Sequence, residues 1–376
     1  MATFPLNGEF LEMHRQIALG DRALIAIAAH VEVRSVLRSS ELLRSLGIDD
    51  VLIGSYARRV ANWPGKDVDV LGRLTKRTVD SITPDEAYNA FLGALTMYDD
   101  AGRLVEQPRS LKIEFGRARL PSADFLRVAA AQYGWSTARV RRVENDLPRL
   151  AFDFSVDVVP GVAWGDHYGI PEIVRDSATD SRSRSGHWRL TDPVELTELT
   201  KRRNRNPLVG GAGAFVRTVK SVKQIKSAHL EGVKPSALFY EFMLHEGFAS
   251  GAIVGESWSD LTASAISFLA QRLATVDTTP VCDPVLHEPY LPTPPASDLM
   301  RARTVFDEMA RYAVRAVGTD DRCQAAQYWR HVFRGNARTD NVFPLPTGCR
   351  GGGGALGAAA ANAAIGGSRE KSFGGR

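Results

Sequence analysis

Ile53-Gly-Ser-Tyr-Ala-Arg-Arg-Val-Ala-Asn-Trp-Pro-Gly-Lys-Asp-Val-Asp-Val-Leu71 is the stretch that decides the fold, because it predicts two strands joined by a polar loop. The apolar run Val51 to Ile53 is β-prone and stops at Gly54-Ser55. Small residues at such a turn let backbone N–H groups approach a triphosphate without interference from Cβ atoms. The turn is therefore a candidate phosphate-binding loop at the end of a strand.

The second strand of this stretch carries Asp67 and Asp69, which point to the same face because side chains alternate along a strand. Two carboxylates on one face can share divalent metals. A Gly-Ser turn alone is usually an ordinary loop, and an Asp-x-Asp pair is usually a solvated strand face. Their joint occurrence predicts a nucleotidyltransferase site, and the alternative is a related fold that has lost its chemistry.

A third carboxylate is predicted on a later strand. Residues Phe152 to Val158 alternate apolar and polar side chains, which indicates a strand with one buried face, and Pro160 is expected to end it. If this strand lies beside the Asp67 strand, Asp157 or Asp153 completes a site for two Mg²⁺ ions, with Mn²⁺ as a substitute. We prefer Asp157, because it lies in the frame Val-Asp-Val-Val-Pro.

Composition indicates an ordinary enzyme with two domains. The chain has 376 residues, 44% hydrophobic content and a formal net charge of +4, which is too small for a dedicated nucleic-acid binder. Its three scattered cysteines are interpreted as free thiols in a reducing cytoplasm. The N-terminus carries charges before any long apolar run, so neither a signal peptide nor membrane association is expected.

The pattern predicts a mixed α/β catalytic domain over residues 1–180, which includes N-terminal helices. A polar connection over residues 176–186 leads to a helical domain over 181–346, and a flexible Gly/Ala-rich tail occupies 347–376. Helices are expected at 7–46 (one or two), 84–95, 122–134, 193–201, 215–228, 236–247, 258–274, 297–317 and 321–333, and the third carboxylate strand at 150–159.

Six segments resemble those of bacterial cyclic-oligonucleotide synthases, the CD-NTases, which are related to cyclic GMP-AMP synthase and oligoadenylate synthase. These segments are Ile53-Gly-Ser-Tyr56, Lys66-Asp-Val-Asp-Val-Leu71, Val156-Asp-Val-Val-Pro160, Trp188-Arg-Leu-Thr-Asp-Pro193, Phe215-Val-Arg-Thr-Val-Lys-Ser-Val-Lys223 and Lys234-Pro-Ser-Ala-Leu-Phe-Tyr-Glu241. The resemblance implies an α+β fold: a DNA polymerase beta-like nucleotidyltransferase domain with a mixed sheet, followed by an all-helical domain, with the active site in the cleft between them.

The resemblance also implies roles for individual residues. The Gly-Ser turn would hold the donor triphosphate, three carboxylates would hold the metals, and the third would help to deprotonate or orient the attacking hydroxyl. A helix lysine and the serine that starts the next helix would touch the phosphates. In this sequence these residues are Gly54 and Ser55, Asp67, Asp69 and Asp157, and Lys220 and Ser236.

The residues themselves allow a second interpretation of both Lys220 and Ser236. Lys220 can present a point charge to phosphate, and a solvated helix face is the alternative. Ser236 follows Pro235 at a predicted helix N-terminus, where backbone N–H groups favour anions, and an ordinary N-cap is the alternative.

The implied activity is the Mg²⁺-dependent condensation of NTPs into a cyclic di- or trinucleotide, with release of pyrophosphate. The product would switch on an effector protein in anti-phage (CBASS-type) defence. Single NMP transfer to a protein, RNA or small molecule, linear oligonucleotide synthesis and nucleotide sensing without turnover stay open. The end Phe373-Gly-Gly-Arg376 resembles, except for its final Arg, C-termini that ubiquitin-transfer-like partners conjugate, and a plain disordered end is the alternative. No Cys/His cluster supports a nucleic-acid activator.

Overall fold

The computed structural model describes residues 6–116, 119–150, 152–175, 184–205 and 213–349. In these ranges one mixed sheet contains seven strands. The strands are β1 (Ile48–Ile53), β2 (Asp67–Thr78), β3 (Leu104–Glu106), β4 (Leu111–Phe115), β5 (Phe154–Trp164), β6 (His167–Arg175) and β7 (Arg184–Thr191). Their order is β1-β2-β5-β4-β3, and β6 pairs with both β5 and β7.

The centre of the sheet is the parallel pair β2 and β5, whereas the other strand pairs are antiparallel. The strand with the third carboxylate thus lies beside the Asp67 strand, as predicted. Pro160 does not end β5, which continues to Trp164. It lies between the pairing with β4, which stops at Val158, and the pairing with β6, which starts at Val162. On that side no strand of the described ranges pairs with Pro160, so its missing N–H disrupts no ladder there.

Eight helices surround the sheet or precede it in the described part of the chain. They are α1 (Asn7–Gln16), α2 (Arg22–Ser39), α3 (Glu41–Ser45), α4 (Gly54–Ala57), α5 (Pro84–Ala94), α6 (Thr96–Asp100), α7 (Ala123–Gln132) and α8 (Thr137–Leu150). Helix α5 begins as predicted, with Pro84 in its first turn and a capping box between Thr83 and Glu86. Helix α8 was not predicted, because much of it is charged and Val140 and Val143 supply its buried contacts.

From residue 193 onward the described chain is predominantly helical, as expected. The helices are α9 (Pro193–Arg205), α10 (Ala214–His229), α11 (Ala237–Ala249), α12 (Trp258–Ala274), α13 (Ala296–Gly318) and α14 (Arg322–Phe333). The apolar positions of α10 to α14 converge on one core, which is why these periodic segments pack together. The α+β fold class is confirmed.

The buried apolar residues form two cores, one under the sheet and one among the later helices. Helix α1 joins the helical core, where the ring centroid of Phe10 lies 5.0 Å from that of Trp329 and 5.1 Å from that of Phe343. Helix α2 joins the sheet core. The main chain passes from one core to the other between Ile17 and Leu24 and again between β7 and α9, and Val60, in the loop between β1 and β2, also packs in the helical core.

The sheet continues beyond the boundary predicted at residue 180. Strand β7 pairs with β6 along its whole length, so the second passage between cores follows Thr191. Residues 176–183, which make up most of the predicted polar connection, lie outside the described residues.

Two of the cysteines are not free, which corrects the sequence interpretation. Cys323 and Cys349 form a disulfide, with Cα atoms 5.4 Å apart, and Cys282 is a free thiol. A separation of 26 residues gave no sequence signal for this contact. The inference of a reducing compartment loses the support of those two thiols. Cys349 lies at the start of the predicted tail, and residues 350–376 of that tail lie outside the described residues. No helix in the described ranges is long and apolar enough to cross a membrane.

Candidate active site

Three carboxylates meet on one face of the central parallel strands. The pairing of β2 with β5 places Asp69 opposite Asp157 and Asp67 opposite Ser155. The Ser155 hydroxyl lies 3.1 Å from a carboxylate oxygen of Asp67 and 3.1 Å from one of Asp157. The three predicted acids are thus brought together, and a buried serine between them fixes two of the carboxylates.

Burial and the charges of neighbouring carboxylates raise the pKa of two of these acids. Burial first, and then the charge of Asp67, raises the pKa of Asp69 to about 6, although the Arg58 guanidinium opposes this shift. Burial and the charges of Asp69 and Asp67 raise the pKa of Asp157 to about 7. The site therefore carries negative charge that the surrounding protein compensates poorly, which is typical of a site built to receive cations.

The alternative third carboxylate, Asp153, lies elsewhere. It precedes β5 and lines a neighbouring cavity, together with Lys112, Glu114 and Arg119, whereas Asp157 lines the cavity with Asp69. The register of the strands therefore favours the choice of Asp157.

Gly54 cannot be replaced without moving a carboxylate. Its φ is +67°, and a Cβ built on it would lie 1.8 Å from Oδ2 of Asp69. Both the left-handed backbone and the close approach require glycine here. The turn at Gly54-Ser55 is thus packed directly against the acidic cluster, as the nucleotidyltransferase interpretation predicts.

A cavity of about 740 Å³ opens between the sheet domain and the helices. We call it the nucleotide cavity. Gly54, Ser55 and the three carboxylates line one wall. Ser236, which is the N-cap residue of α11, lines the other, and its hydroxyl lies 2.8 Å from the Tyr290 hydroxyl. The volume suits a nucleotide-sized ligand.

Lys220 does not line the nucleotide cavity, whereas Lys223 and Lys226 of the same helix do. Lys220 lines a different cavity, and its backbone carbonyl accepts a hydrogen bond from the Asn62 amide. Burial lowers the pKa of Lys223 to about 8, and the nearby carboxylates of Glu241 and Asp69 oppose that shift. The lysines of this helix at the cleft are therefore Lys223 and Lys226, one and two turns beyond the residue predicted from the sequence.

A buried ion pair that the sequence did not reveal joins the two walls. Arg58 Nε donates to Glu241 Oε1 at 2.7 Å, and an Arg58 terminal nitrogen donates to Glu241 Oε2 at 3.2 Å. Both side chains are less than 10% exposed and line the nucleotide cavity. The two residues are 183 positions apart in the sequence. The only sequence signal for this contact was that Glu241 ends one of the six segments that resemble those of CD-NTases.

The donor set of the acidic cluster fits a divalent metal of the Mg²⁺ type, because its ligands would be hard carboxylate oxygens. Across the described ranges, no three His, Cys, Asp or Glu side chains are already arranged to hold an ion. Asp69 is packed on Gly54, and Ser155 lies between Asp67 and Asp157. Binding would therefore require these carboxylates to rotate away from their present partners.

Comparison with known proteins identifies the fold. No protein-family profile and no curated protein matches the chain. A structure of the Bradyrhizobium diazoefficiens CD-NTase CdnG in complex with GTP is 12% identical, with a TM-score of 0.59 over 88% of this chain and 96% of that one. The Escherichia coli MS115-1 CdnC:HORMA-deltaN complex has a TM-score of 0.55 at 12% identity, over 87% of this chain and 96% of that chain. Vibrio cholerae DncV in its apo form has a TM-score of 0.51 at 12% identity, over 86% of this chain and 79% of that chain. The chain therefore has the fold of the CD-NTases.

Proposed function

We propose that this chain is a nucleotidyltransferase that condenses NTPs into a cyclic di- or trinucleotide and releases pyrophosphate. One observation carries the proposal: Asp67, Asp69 and Asp157 converge across two strands against a Gly-Ser turn, in a cavity with lysines on its opposite wall. Carboxylates, a small-residue turn and cations are what a triphosphate and its metal require.

The donor triphosphate would lie along the turn. Backbone N–H groups at Gly54 and Ser55 would donate hydrogen bonds to its oxygens, and Ser236 would contribute a hydroxyl from the start of α11. Lys223 takes the role predicted for Lys220, because its side chain reaches the cavity. Lys223 has an electrostatic partner in Glu241, and an arriving phosphate would supply a stronger one.

Asp157 would handle the proton of the attacking hydroxyl. It faces the cavity opposite Asp69, where it would help to deprotonate or orient that hydroxyl. Asp67, Asp69 and Asp157 would hold Mg²⁺, or Mn²⁺ in its place, and the bound metal would neutralise charge on the reacting phosphate. Arg58 keeps the wall of the cleft in position through Glu241.

The biological setting is proposed from the family resemblance. The cyclic product would act as a second messenger that switches on an effector protein in anti-phage defence, in the cytoplasm. NTPs are the expected substrates. Conjugation of the C-terminal tail stays a prediction, since that segment lies outside the described residues.

Product analysis tests the reaction. The chain is incubated with four α-³²P-labelled NTPs and Mg²⁺, and the products are separated by thin-layer chromatography before and after phosphatase treatment. A phosphatase-resistant spot that Asp69→Asn abolishes and Asp153→Asn preserves is the expected result. A phosphatase-sensitive ladder would instead establish linear synthesis, and label on protein or RNA would establish single NMP transfer. NTP binding without pyrophosphate release would establish a sensor.

The two lysines of α10 provide a matched pair for the donor site. Lys223→Ala is expected to raise the KM for NTP by about tenfold or more, because one charge-assisted contact contributes about 1.4 kcal/mol. Lys220→Ala removes the same charge one turn away and is expected to leave the KM nearly unchanged. The opposite ranking of the two variants would return the phosphate contact to Lys220.

A further inference from the structure

A second cavity of about 570 Å³ lies beside the nucleotide cavity. Helix α2, strand β1 and helix α9 supply most of its apolar wall, through Ala23, Ile27, Val51, Leu52 and Val194, and Leu19 in the connection before α2 completes it. These side chains stay partly exposed in the structure. The volume is within the range of small-molecule sites, which are mostly apolar with a few polar groups.

The charged groups of the second cavity are mainly cationic. Burial and the neighbouring Arg217 lower the pKa of Lys220, and no carboxylate in the described ranges pairs with its ammonium. Glu198 is neutralised by Lys201, whose Nζ lies 2.7 Å from Oε1. Arg59 adds a further positive charge at the wall. The cavity thus combines an apolar wall with uncompensated positive charge.

A half-buried ammonium without a counter-ion is unfavourable, because burial removes water and nothing replaces it. An anion beside Lys220 would relieve that cost. An NTP is a poor candidate, since a triphosphate and a ribose would leave many polar atoms against the aliphatic wall. A ligand with a single compact anionic group and an apolar body matches both features.

We propose that the second cavity is a binding site for a small amphiphilic acid, with its anionic head at Lys220 and its apolar body against Ile27, Val51 and Leu52. The site is separate from the nucleotide cavity, although Tyr56 and Ala61 line both. It does not depend on the proposed reaction.

Competition between a charged and a neutral ligand of one shape tests the site. The fluorescent sulfonate 8-anilinonaphthalene-1-sulfonate is bound to the full chain and displaced by octanoate or by octanamide. Octanoate is expected to compete at about tenfold lower concentration, because only the carboxylate gains from the ammonium. With Lys220→Met this ratio should fall to about one, whereas Lys220→Arg should preserve it.

Lys226→Met is the matched control, since it removes a lysine of the same helix from the nucleotide cavity. It should keep the octanoate preference. Loss of the preference in Lys226→Met rather than in Lys220→Met would place the probe in the nucleotide cavity and overturn the proposal. An unchanged ratio in Lys220→Met, or no saturable competition in the wild type, would also overturn it. If Lys220→Met does not fold, Val51→Trp, which fills the cavity, should abolish competition by octanoate, and retained competition would refute the site.

Discussion

Replacing the catalytic candidate Asp157 by Asn should make the metal-free protein more stable at neutral pH while removing its activity. Asn has nearly the same shape as Asp and carries no charge. In the folded chain Asp157 lies opposite Asp69 and within hydrogen-bond reach of Ser155. The substitution therefore removes a repulsive charge from the acidic cluster with little change in packing.

The magnitude follows from the pKa of Asp157, which burial, Asp69 and Asp67 raise from 3.8 to about 7. A raised pKa means that the folded protein binds this proton more tightly than the unfolded chain, so stability is lost as pH rises between these two values. At about 1.4 kcal/mol per pKa unit the full loss is about 4 kcal/mol. Solvent at the cavity and the coupling to Asp69 reduce this loss, and we expect a stability difference of about 2 kcal/mol between the variant and the wild type.

Thermal unfolding in EDTA at constant ionic strength measures this effect. Asp157→Asn should unfold about 3 °C higher than the wild type at pH 8, and the difference should close below about pH 4. Added Mg²⁺ should raise the midpoint of the wild type more than that of the variant. Asp153→Asn, which changes an exposed carboxylate outside the nucleotide cavity, is the control and should show no such pH dependence. A variant that is less stable than the wild type at pH 8, or a difference independent of pH, would refute the electrostatic reasoning.

Three other substitutions test separate features. Gly54→Ala forces a Cβ against the Asp69 carboxylate, so pyrophosphate release should fall by about 100-fold or more, and near-normal release would show that the turn is dispensable. Arg58→Met leaves Glu241 buried without its partner, which should cost about 3–5 kcal/mol in urea unfolding; the double variant with Glu241→Leu should recover most of that loss, and no recovery would argue against the ion pair. Cys323→Ser opens a loop of 26 residues and should lower stability by about 3 kcal/mol, as should a reductant on the wild type, and equal midpoints with and without reductant would contradict it.

The strands that carry the carboxylates were predictable because their apolar residues recur with a period of two, and because the required chemistry places β5 beside β2. The short strands β3 and β4, and the β6–β7 pair, gave no comparable signal. Strand β6 contains Gly169 and Pro171, residues that usually mark turns. Their positions depend on pairing partners distant in sequence, which a local pattern does not contain.

The lysines of α10 show why the site was only partly predictable. Residues three apart on a helix differ by only about 60° in direction. The sequence pattern is therefore compatible with a phosphate contact by either Lys220 or Lys223. The packing of the buried part of the helix decides between them. Gln224 is buried there, and its amide donates to the Phe333 carbonyl at 2.9 Å. That contact joins segments 109 residues apart, and nothing local to α10 reveals it.

The connections between the two cores have a mechanical consequence. The main chain links them at Ile17 to Leu24 and between β7 and α9, and the Arg58–Glu241 ion pair adds a contact across the cleft. Both main-chain links also form cavity walls: Leu19 and Ala23 at the first, and Thr191 to Val194 at the second. A movement of the sheet against the helices must therefore reshape both cavities at once.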